Sequence, residues 1–240
     1  CGYRSWWGFE TLPEVQEDSP SYVDFICGKG GVIDTWLNLG ASGFRLDVAD
    51  ELPDDFIEKI RTAVKSHGDD KLLLGEVWED ATTKEAFGQR RTYLRGRGLD
   101  AVMNYPFRNA ALDYLHGGDV AAVADALMQI CENYPAPALD CAMNFLSTHD
   151  TERAITAIAG EPCNGRDRCW QSKRCIPADK MDDAVRKLLL GYAMIFTLPG
   201  VPCVYYGDEI AMQGYRDPFN RAFFDWNSTE QRLRGPIKTL

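Results

Sequence analysis

Three carboxylates and one histidine lie at the ends of apolar segments in the sequence. Asp47 ends the segment GFRLD, Glu76 ends LLLGE, and the pair His149-Asp150 follows NFLST. Glycoside hydrolysis requires two carboxyl groups around one bond, and polar neighbours can hold the sugar hydroxyls. The sequence therefore predicts a site for sugar chemistry that is built on Asp47, Glu76 and Asp150, with His149 as a binding residue.

Asp47 has a cationic neighbour two positions earlier in the chain, Arg45. Because side chains at i and i+2 of a strand point to the same face, we expect Arg45 to contact the Asp47 carboxylate. Such a contact would keep the carboxylate ionised and oriented, as a nucleophile requires. The alternative interpretation is an ion pair with a purely structural role.

Glu76 follows three leucines and Gly75, and it precedes Val77 and Trp78. Apolar surroundings favour the neutral form of a carboxyl group, which is the form that a general acid needs. The alternative is a helix cap or an ordinary loop acid. Asp150 has a similar alternative, because it could cap a helix that begins within TERAITAIA.

Five apolar segments alternate with stretches of helical periodicity, and this order predicts an α/β protein with a parallel sheet. In parallel α/β folds, ligands bind at the carboxyl ends of the strands. A helix is predicted after Pro53, with Phe56, Ile57, Ile60 and Val64 on one face, and two longer helices are predicted over 118–134 and 182–198. The predicted strands are 43–49, 71–78, 99–106, 141–150 and 200–209, and residues 210–240 are predicted to be loop.

Aromatic residues could supply flat apolar surfaces for pyranose rings. Trp7, beside Trp6 and Gly8, and Trp78, beside Glu76, are the candidates for substrate binding. Each of them could instead pack in the core or within a loop.

Composition excludes several classes of function. The chain has 240 residues and a formal net charge of −10, which argues against binding to nucleic acid or to anionic membranes. It has no apolar run of the roughly 20 residues that a membrane helix needs. Of the 8 cysteines, four lie among apolar residues and are interpreted as core side chains: Cys27, Cys131, Cys141 and Cys203. Three others lie in CNGRDRCWQSKRC, whose spacing is too wide for a usual zinc pair. We expect no metal or cofactor, free thiols with a disulfide as the alternative, and a cytoplasmic location with a secreted or cell-surface parent as the alternative.

Four stretches of the chain resemble the α-amylase superfamily of glycoside hydrolases, and most closely its neopullulanase, cyclomaltodextrinase and pullulanase-like members. They are GFRLDVADE, GEVW, FLSTHDTER and the region 200–226. The resemblance implies a retaining mechanism, with Asp47 as nucleophile, Glu76 as acid/base and Asp150 as a clamp on the ring hydroxyls of the reacting sugar. It implies action on α-1,4 or α-1,6 bonds of starch-type glucans, with a glycosyl transferase or a non-catalytic glucan-binding protein as alternatives.

The resemblance also implies a (β/α)8 barrel, of which the chain would supply only a part. The family's Asp and Asn-His motif after the third strand is absent, and Thr148 replaces the Asn that usually precedes the His-Asp pair. We therefore expect a partial (β/α)8 barrel with strands four to eight, in which residues 1–20 end an inserted domain and residues 21–240 form the barrel portion. Such a chain alone would be inactive, and its open sheet edges could pair in a homodimer.

Overall fold

The computed structural model describes residues 2–240, which form two compact units. The first unit runs through Glu76 and includes Ala81–Asp100, and the second comprises Val77–Asp80 and Ala101–Leu240. Residues on both sides of position 20 belong to the first unit, so the domain boundary expected there stays a prediction.

The first unit is built on one pair of parallel strands and the helices beside it. Strands β1 and β2 pair in parallel register from Gly43↔Leu72 to Leu46↔Gly75. This confirms the first two predicted strands, although both are shorter than expected because the chain turns directly after them. The elements are α1 Pro20–Cys27, α2 Val32–Asn38, β1 Gly43–Leu46, α3 Asp54–Lys65, β2 Leu72–Gly75, β3 Glu85–Ala86 and β4 Gln89–Arg90.

Helix α3 shows most directly how the sequence specifies the core of the first unit. It begins after Pro53, and Asp54 and Asp55 in its first turn interact favourably with the helix dipole. The four apolar side chains with helical spacing are all buried, as predicted: Phe56, Ile57, Ile60 and Val64. This face packs against α1, α2 and β2.

The second unit alternates short parallel strands with helices. Strands β6 and β7 pair in parallel from Met143↔Val201 to Phe145↔Cys203, and a parallel bridge joins Met103 to Met143. The remaining predicted strands are thus confirmed in shortened form. The elements are β5 Ala101–Val102, α4 Tyr105–His116, α5 Val120–Asn133, α6 Ala136–Asp140, β6 Met143–Phe145, α7 Ala154–Ala159, α8 Arg168–Gln171, α9 Ala178–Thr197, β7 Val201–Cys203 and α10 Arg234–Thr239.

Some elements differ from the sequence-based expectation. The antiparallel β3–β4 hairpin was not predicted, because two-residue strands are too short to show alternation. Residues 210–240 were expected to be loop, but they contain α10 and a 3₁₀ turn at Phe219–Arg221. Cys131, interpreted as a core side chain, is exposed on α5.

A cluster of buried polar residues connects the loop after β6 to the loop after β7. Arg153 and Asp208 are both buried, and their charged groups lie 3.4 Å apart. The Tyr192 hydroxyl of α9 donates to Asp208 Oδ2 at 2.8 Å, and Arg153 donates to the carbonyl of Tyr206 at 2.7 Å. Desolvation by burial raises the pKa of Asp208 to about 6, although Ser147, Tyr192 and Arg153 act to lower it.

Three further features concern the described residues as a whole. No helix between residues 2 and 240 is long and apolar enough to cross a membrane. In the same range, no group of three or more His, Cys, Asp or Glu side chains could hold a metal ion. All seven cysteines within this range are free thiols, and Cys1 lies outside the described residues.

Truncation of Ile57 tests the packing of α3. Ile57→Ala removes a fully buried side chain and leaves a cavity, so we expect a loss of about 2–5 kcal/mol of unfolding free energy. Thr62→Ala on the exposed side of the same helix is the control, and its effect should stay within about 0.5 kcal/mol. Urea denaturation measures both variants, and equal losses would contradict the assigned faces.

The pKa of Asp208 predicts a pH dependence of stability. Between the unfolded value, about 4, and the folded value of about 6, the folded state holds a proton that the unfolded state has lost. The contribution of Asp208 to the free energy of unfolding is therefore fully present below about pH 4. As the pH rises to 6, the free energy of unfolding falls by ~3 kcal/mol.

Asp208→Asn should abolish this component when urea denaturation is followed from pH 4 to pH 8. The control is Asp69→Asn, which changes an exposed carboxylate between α3 and β2 and should leave the pH dependence as in the wild type. An unchanged profile in Asp208→Asn would show that Asp208 does not titrate in this range.

Candidate active site

Strands β1 and β2 place two carboxylates at the same end of the first unit's sheet. Leu46 pairs with Gly75, and the amide of Glu76 donates to the carbonyl of Leu46 at 3.0 Å. Asp47 and Glu76 therefore both follow directly on the paired region. Parallel pairing in this register brings two residues that are 29 positions apart in sequence to the same edge of the sheet. This is the edge formed by the carboxyl ends of the strands, where the sequence predicted the site.

Arg45 joins the two carboxylates. Its Nη1 donates a hydrogen bond to Asp47 Oδ1, which confirms the expected i, i+2 contact. Its Nη2 lies 3.0 Å from Glu76 Oε2, an ion-pair contact that the sequence did not indicate. One guanidinium thus contacts both carboxyl groups.

The two carboxyl groups differ in their exposure to water. The Asp47 side chain is 73% exposed, whereas that of Glu76 is 5% exposed. The buried Glu76 carboxyl also accepts a hydrogen bond at Oε2 from the amide of Val48, at 2.8 Å. The accessible carboxylate suits a nucleophile, and the buried one suits a group that exchanges a proton.

Val48 supplies its amide through an unusual backbone conformation. Its φ of 44° and ψ of 53° lie in the left-handed region, which a β-branched residue rarely adopts. The amide of the next residue, Ala49, donates to the carbonyl of Glu76 at 3.1 Å. The turn after β1 is therefore strained where it holds Glu76, a pattern that is common at functional sites.

A cavity of about 700 Å³ lies beside Asp47 within the first unit. Its walls include Trp6, Glu51 and Phe87. The predicted sugar-binding residue Trp7 stacks on Trp6, with ring centroids 4.6 Å apart, and donates from Nε1 to Glu51 at 2.9 Å. Trp7 is 71% exposed and does not line the cavity, so the aromatic residues in the cavity wall are Trp6 and Phe87.

In the second unit, two residues hold the loop that carries His149 and Asp150. The buried amide of Asn220 donates to the carbonyls of His149 at 2.8 Å and Thr151 at 2.7 Å. Arg221 donates to the carbonyl of His149 at 2.9 Å and lies 3.4 Å from Asp150 Oδ1.

His149 and Asp150 are themselves neighbours, with Nε2 3.1 Å from Oδ2. Helix α7 begins at Ala154, whose amide donates to the Ser147 hydroxyl at 2.7 Å. Asp150 does not cap this helix, which removes the structural alternative proposed for it.

Trp78 also belongs to the second unit and presents an aromatic face. It stacks on Tyr105 with ring centroids 4.1 Å apart, and it is 43% exposed. Its ring thus has a stacking partner and is partly exposed, as a sugar platform requires.

The structure adds residues that sequence reasoning did not single out. Asn220 and Arg221 lie within 200–226, a stretch used for the family resemblance, yet their types alone gave no sign of a role. The role of Val48 could not be predicted from the sequence, because a valine gives no indication of a left-handed backbone conformation.

Comparison with known proteins identifies the family. The description "Alpha amylase, catalytic domain" matches residues 6–234. An amylopullulanase of Thermoanaerobacter thermohydrosulfuricus is 32% identical over 99% of this chain, and a cyclomaltodextrinase of Geobacillus thermopakistaniensis is 32% identical over 95%. The chain spans 17% and 37% of the lengths of these two relatives.

A solved structure supports the same assignment. The cyclic alpha-maltosyl-(1→6)-maltose hydrolase of Arthrobacter globiformis superposes with a TM-score of 0.80 at 30% identity, covering 99% of this chain and 47% of that one. The expected fold class, part of a (β/α)8 barrel, is confirmed by these matches. The chain belongs to the α-amylase catalytic domain family.

Proposed function

We propose that the protein is a retaining α-glycosidase that acts on starch-type α-glucans. The observation that carries this proposal is the single guanidinium of Arg45 shared between the exposed Asp47 and the buried Glu76. Two adjacent carboxyl groups in unlike environments are the chemical requirement for a nucleophile and a general acid.

In the first step, the Asp47 carboxylate attacks the anomeric carbon, and the bond from that carbon to the leaving oxygen breaks. Glu76 gives its proton to this oxygen, so that the leaving sugar departs as an alcohol. In the second step, Glu76 removes a proton from water, and the water oxygen displaces Asp47 from the anomeric carbon. The product keeps the starting configuration because two displacements have occurred.

Arg45 can serve both steps because the negative charge moves between its two partners. Before the first step the charge is on Asp47, and Glu76 holds a proton. In the covalent intermediate Asp47 is a neutral ester and Glu76 has become the anion. The guanidinium contacts both groups, so it stabilises whichever one is ionised, and the Val48 amide further supports the Glu76 anion.

Asp150 and His149 are proposed to bind hydroxyls of the reacting sugar, and Trp7 and Trp78 to offer apolar faces to further rings. The names of the relatives support α-1,4 and α-1,6 glucans, including pullulan and cyclodextrins, as the substrate class. A glycosyl transferase would use the same residues, with a sugar hydroxyl in place of water. A non-catalytic glucan-binding protein is less well supported, because all three carboxylates are present.

The inactivity of the isolated chain and its dimerisation through open sheet edges stay predictions. The experiments below therefore use the full-length protein. Rates on maltodextrin, pullulan and cyclodextrin test the proposed function directly, and absence of any turnover by a folded protein would reject it.

Replacement of the two carboxylates separates their roles. Asp47→Asn should lower turnover of every substrate by a factor of about 10⁴ or more, because the covalent bond cannot form. Glu76→Gln should slow the first step on maltodextrin by about 10²–10⁴, but on a glycosyl fluoride by less than about tenfold, since fluoride needs little protonation. Pre-steady-state kinetics measures the first step, and equal losses on the fluoride would contradict the assignment.

Removal of the Asn220 amide tests how the His149-Asp150 loop is positioned. Asn220→Ala removes one donor from the carbonyl of His149 and one from the carbonyl of Thr151, so kcat/KM should fall about tenfold or more and stability should fall by ~2 kcal/mol. The matched control is the exposed Asn227→Ala, which should leave both quantities unchanged. If Asn220→Ala lowers stability but keeps kcat/KM, Asn220 is structural only.

A further inference from the structure

We propose that Phe87 is a sugar-stacking residue that sets the protein's preference for longer glucan chains. This inference rests on the proposed glycosidase function and adds a specificity determinant to it. Three observations carry it: the conformation of Phe87, its place in the cavity wall and the way its ring is held.

The conformation of Phe87 is unfavourable for its residue type. Phe87 and Gly88 form the two-residue connection of the β3–β4 hairpin, and both have positive φ, 53° and 72°. Tight hairpins with two such residues favour Asn-Gly or Asp-Gly, since most other side chains are strained there. A phenylalanine at the first position is therefore not explained by the turn.

Packing does not explain this phenylalanine either. Its side chain lies at the tip of the hairpin and is 57% exposed, so it gains little from burial. It forms part of the wall of the cavity beside Asp47, together with Trp6 and Pro13. An exposed, strained aromatic residue that faces the cavity of a proposed nucleophile points to a role in binding.

A buried arginine holds the ring in place. The Arg91 guanidinium lies 5.4 Å from the centroid of the Phe87 ring, and the side chain is 1% exposed. Arg91 donates to Asp54 at 2.7 Å and to the carbonyl of Asp50 at 2.8 Å. Because these residues lie in the segment after Asp47, Arg91 fixes the Phe87 ring relative to the loop of the proposed nucleophile.

The chemistry of the cavity fits an α-glucan. The Phe87 and Trp6 rings offer apolar surface for the faces of pyranose rings, and the Glu51 carboxylate can accept hydrogen bonds from hydroxyls. A volume of about 700 Å³ is within the usual range for small-molecule sites. Because Asp47 and Phe87 line the same cavity, we expect a long glucan whose reacting bond lies at Asp47 to place a further ring on Phe87, and a short substrate to leave Phe87 uncovered.

The test is Phe87→Asn in the full-length protein. Asparagine is preferred in this turn, so the melting temperature should stay equal or rise while the aromatic surface is lost. We expect KM for a long maltodextrin to rise about tenfold with kcat unchanged. The reason is that the lost contact would stabilise the bound substrate and the transition state equally. KM for maltosyl fluoride should stay as in the wild type.

Phe87→Tyr keeps the ring and should retain the wild-type KM for both substrates. The inference is overturned if Phe87→Asn leaves the KM for long maltodextrin unchanged, or if Phe87→Tyr raises it as much as Phe87→Asn does. Either result would leave the glycosidase proposal intact, since wild-type turnover is measured in the same assay. A wild-type protein without turnover would instead reject the proposed function on which this inference rests.

Discussion

A single cation between two carboxylates is the constraint on which the proposed site depends. Arg45 contacts both Asp47 and Glu76 and therefore helps to set the position of each carboxyl group. In this arrangement, the pair can exchange one negative charge, and the guanidinium stays in contact with whichever group carries it. Arg45 lies within β1, so its backbone is fixed by the sheet rather than by a loop.

The rest of the first unit fixes the loop that follows this pair. Asp50 receives a hydrogen bond from the Tyr93 hydroxyl at 2.9 Å and lies 3.2 Å from the Lys84 ammonium group. Burial and the Asp50 carboxylate raise the pKa of Tyr93, so its hydroxyl stays protonated and donates. Together with the hydrogen bonds of Arg91, these contacts hold the segment that follows Asp47 at more than one residue. A loop held in this way can carry a reactive residue in a constant position.

Sequence reasoning identified the strands, helix α3 and the Arg45–Asp47 contact because each follows from a local period. A strand repeats every two residues and a helix every 3.6, so the spacing of Ile57, Ile60 and Val64 was sufficient. The Arg45–Glu76 contact was not accessible, since it depends on the register between two strands. The Asn220 contacts join positions about 70 residues apart, and asparagine is common in loops, so no pattern marked them.

Backbone strain around the proposed nucleophile is the other property that the sequence did not reveal. Five non-glycine residues in the described part of the chain have positive φ, and two of them, Val48 and Phe87, line the cavity beside Asp47. A third, Trp7, donates to the cavity residue Glu51. Such conformations cost about 1–3 kcal/mol each, and burial of one apolar helix face such as that of α3 is large enough to offset them.

The strain has a physical use in each case. At Val48 it turns an amide towards Glu76, and at Phe87 it projects an aromatic ring into the cavity. A relaxed turn with Asn at position 87 would give the same hairpin without the ring. The energetic cost of these residues is thus concentrated beside the proposed substrate site, while the regular elements around them keep to the favourable patterns of their sequence.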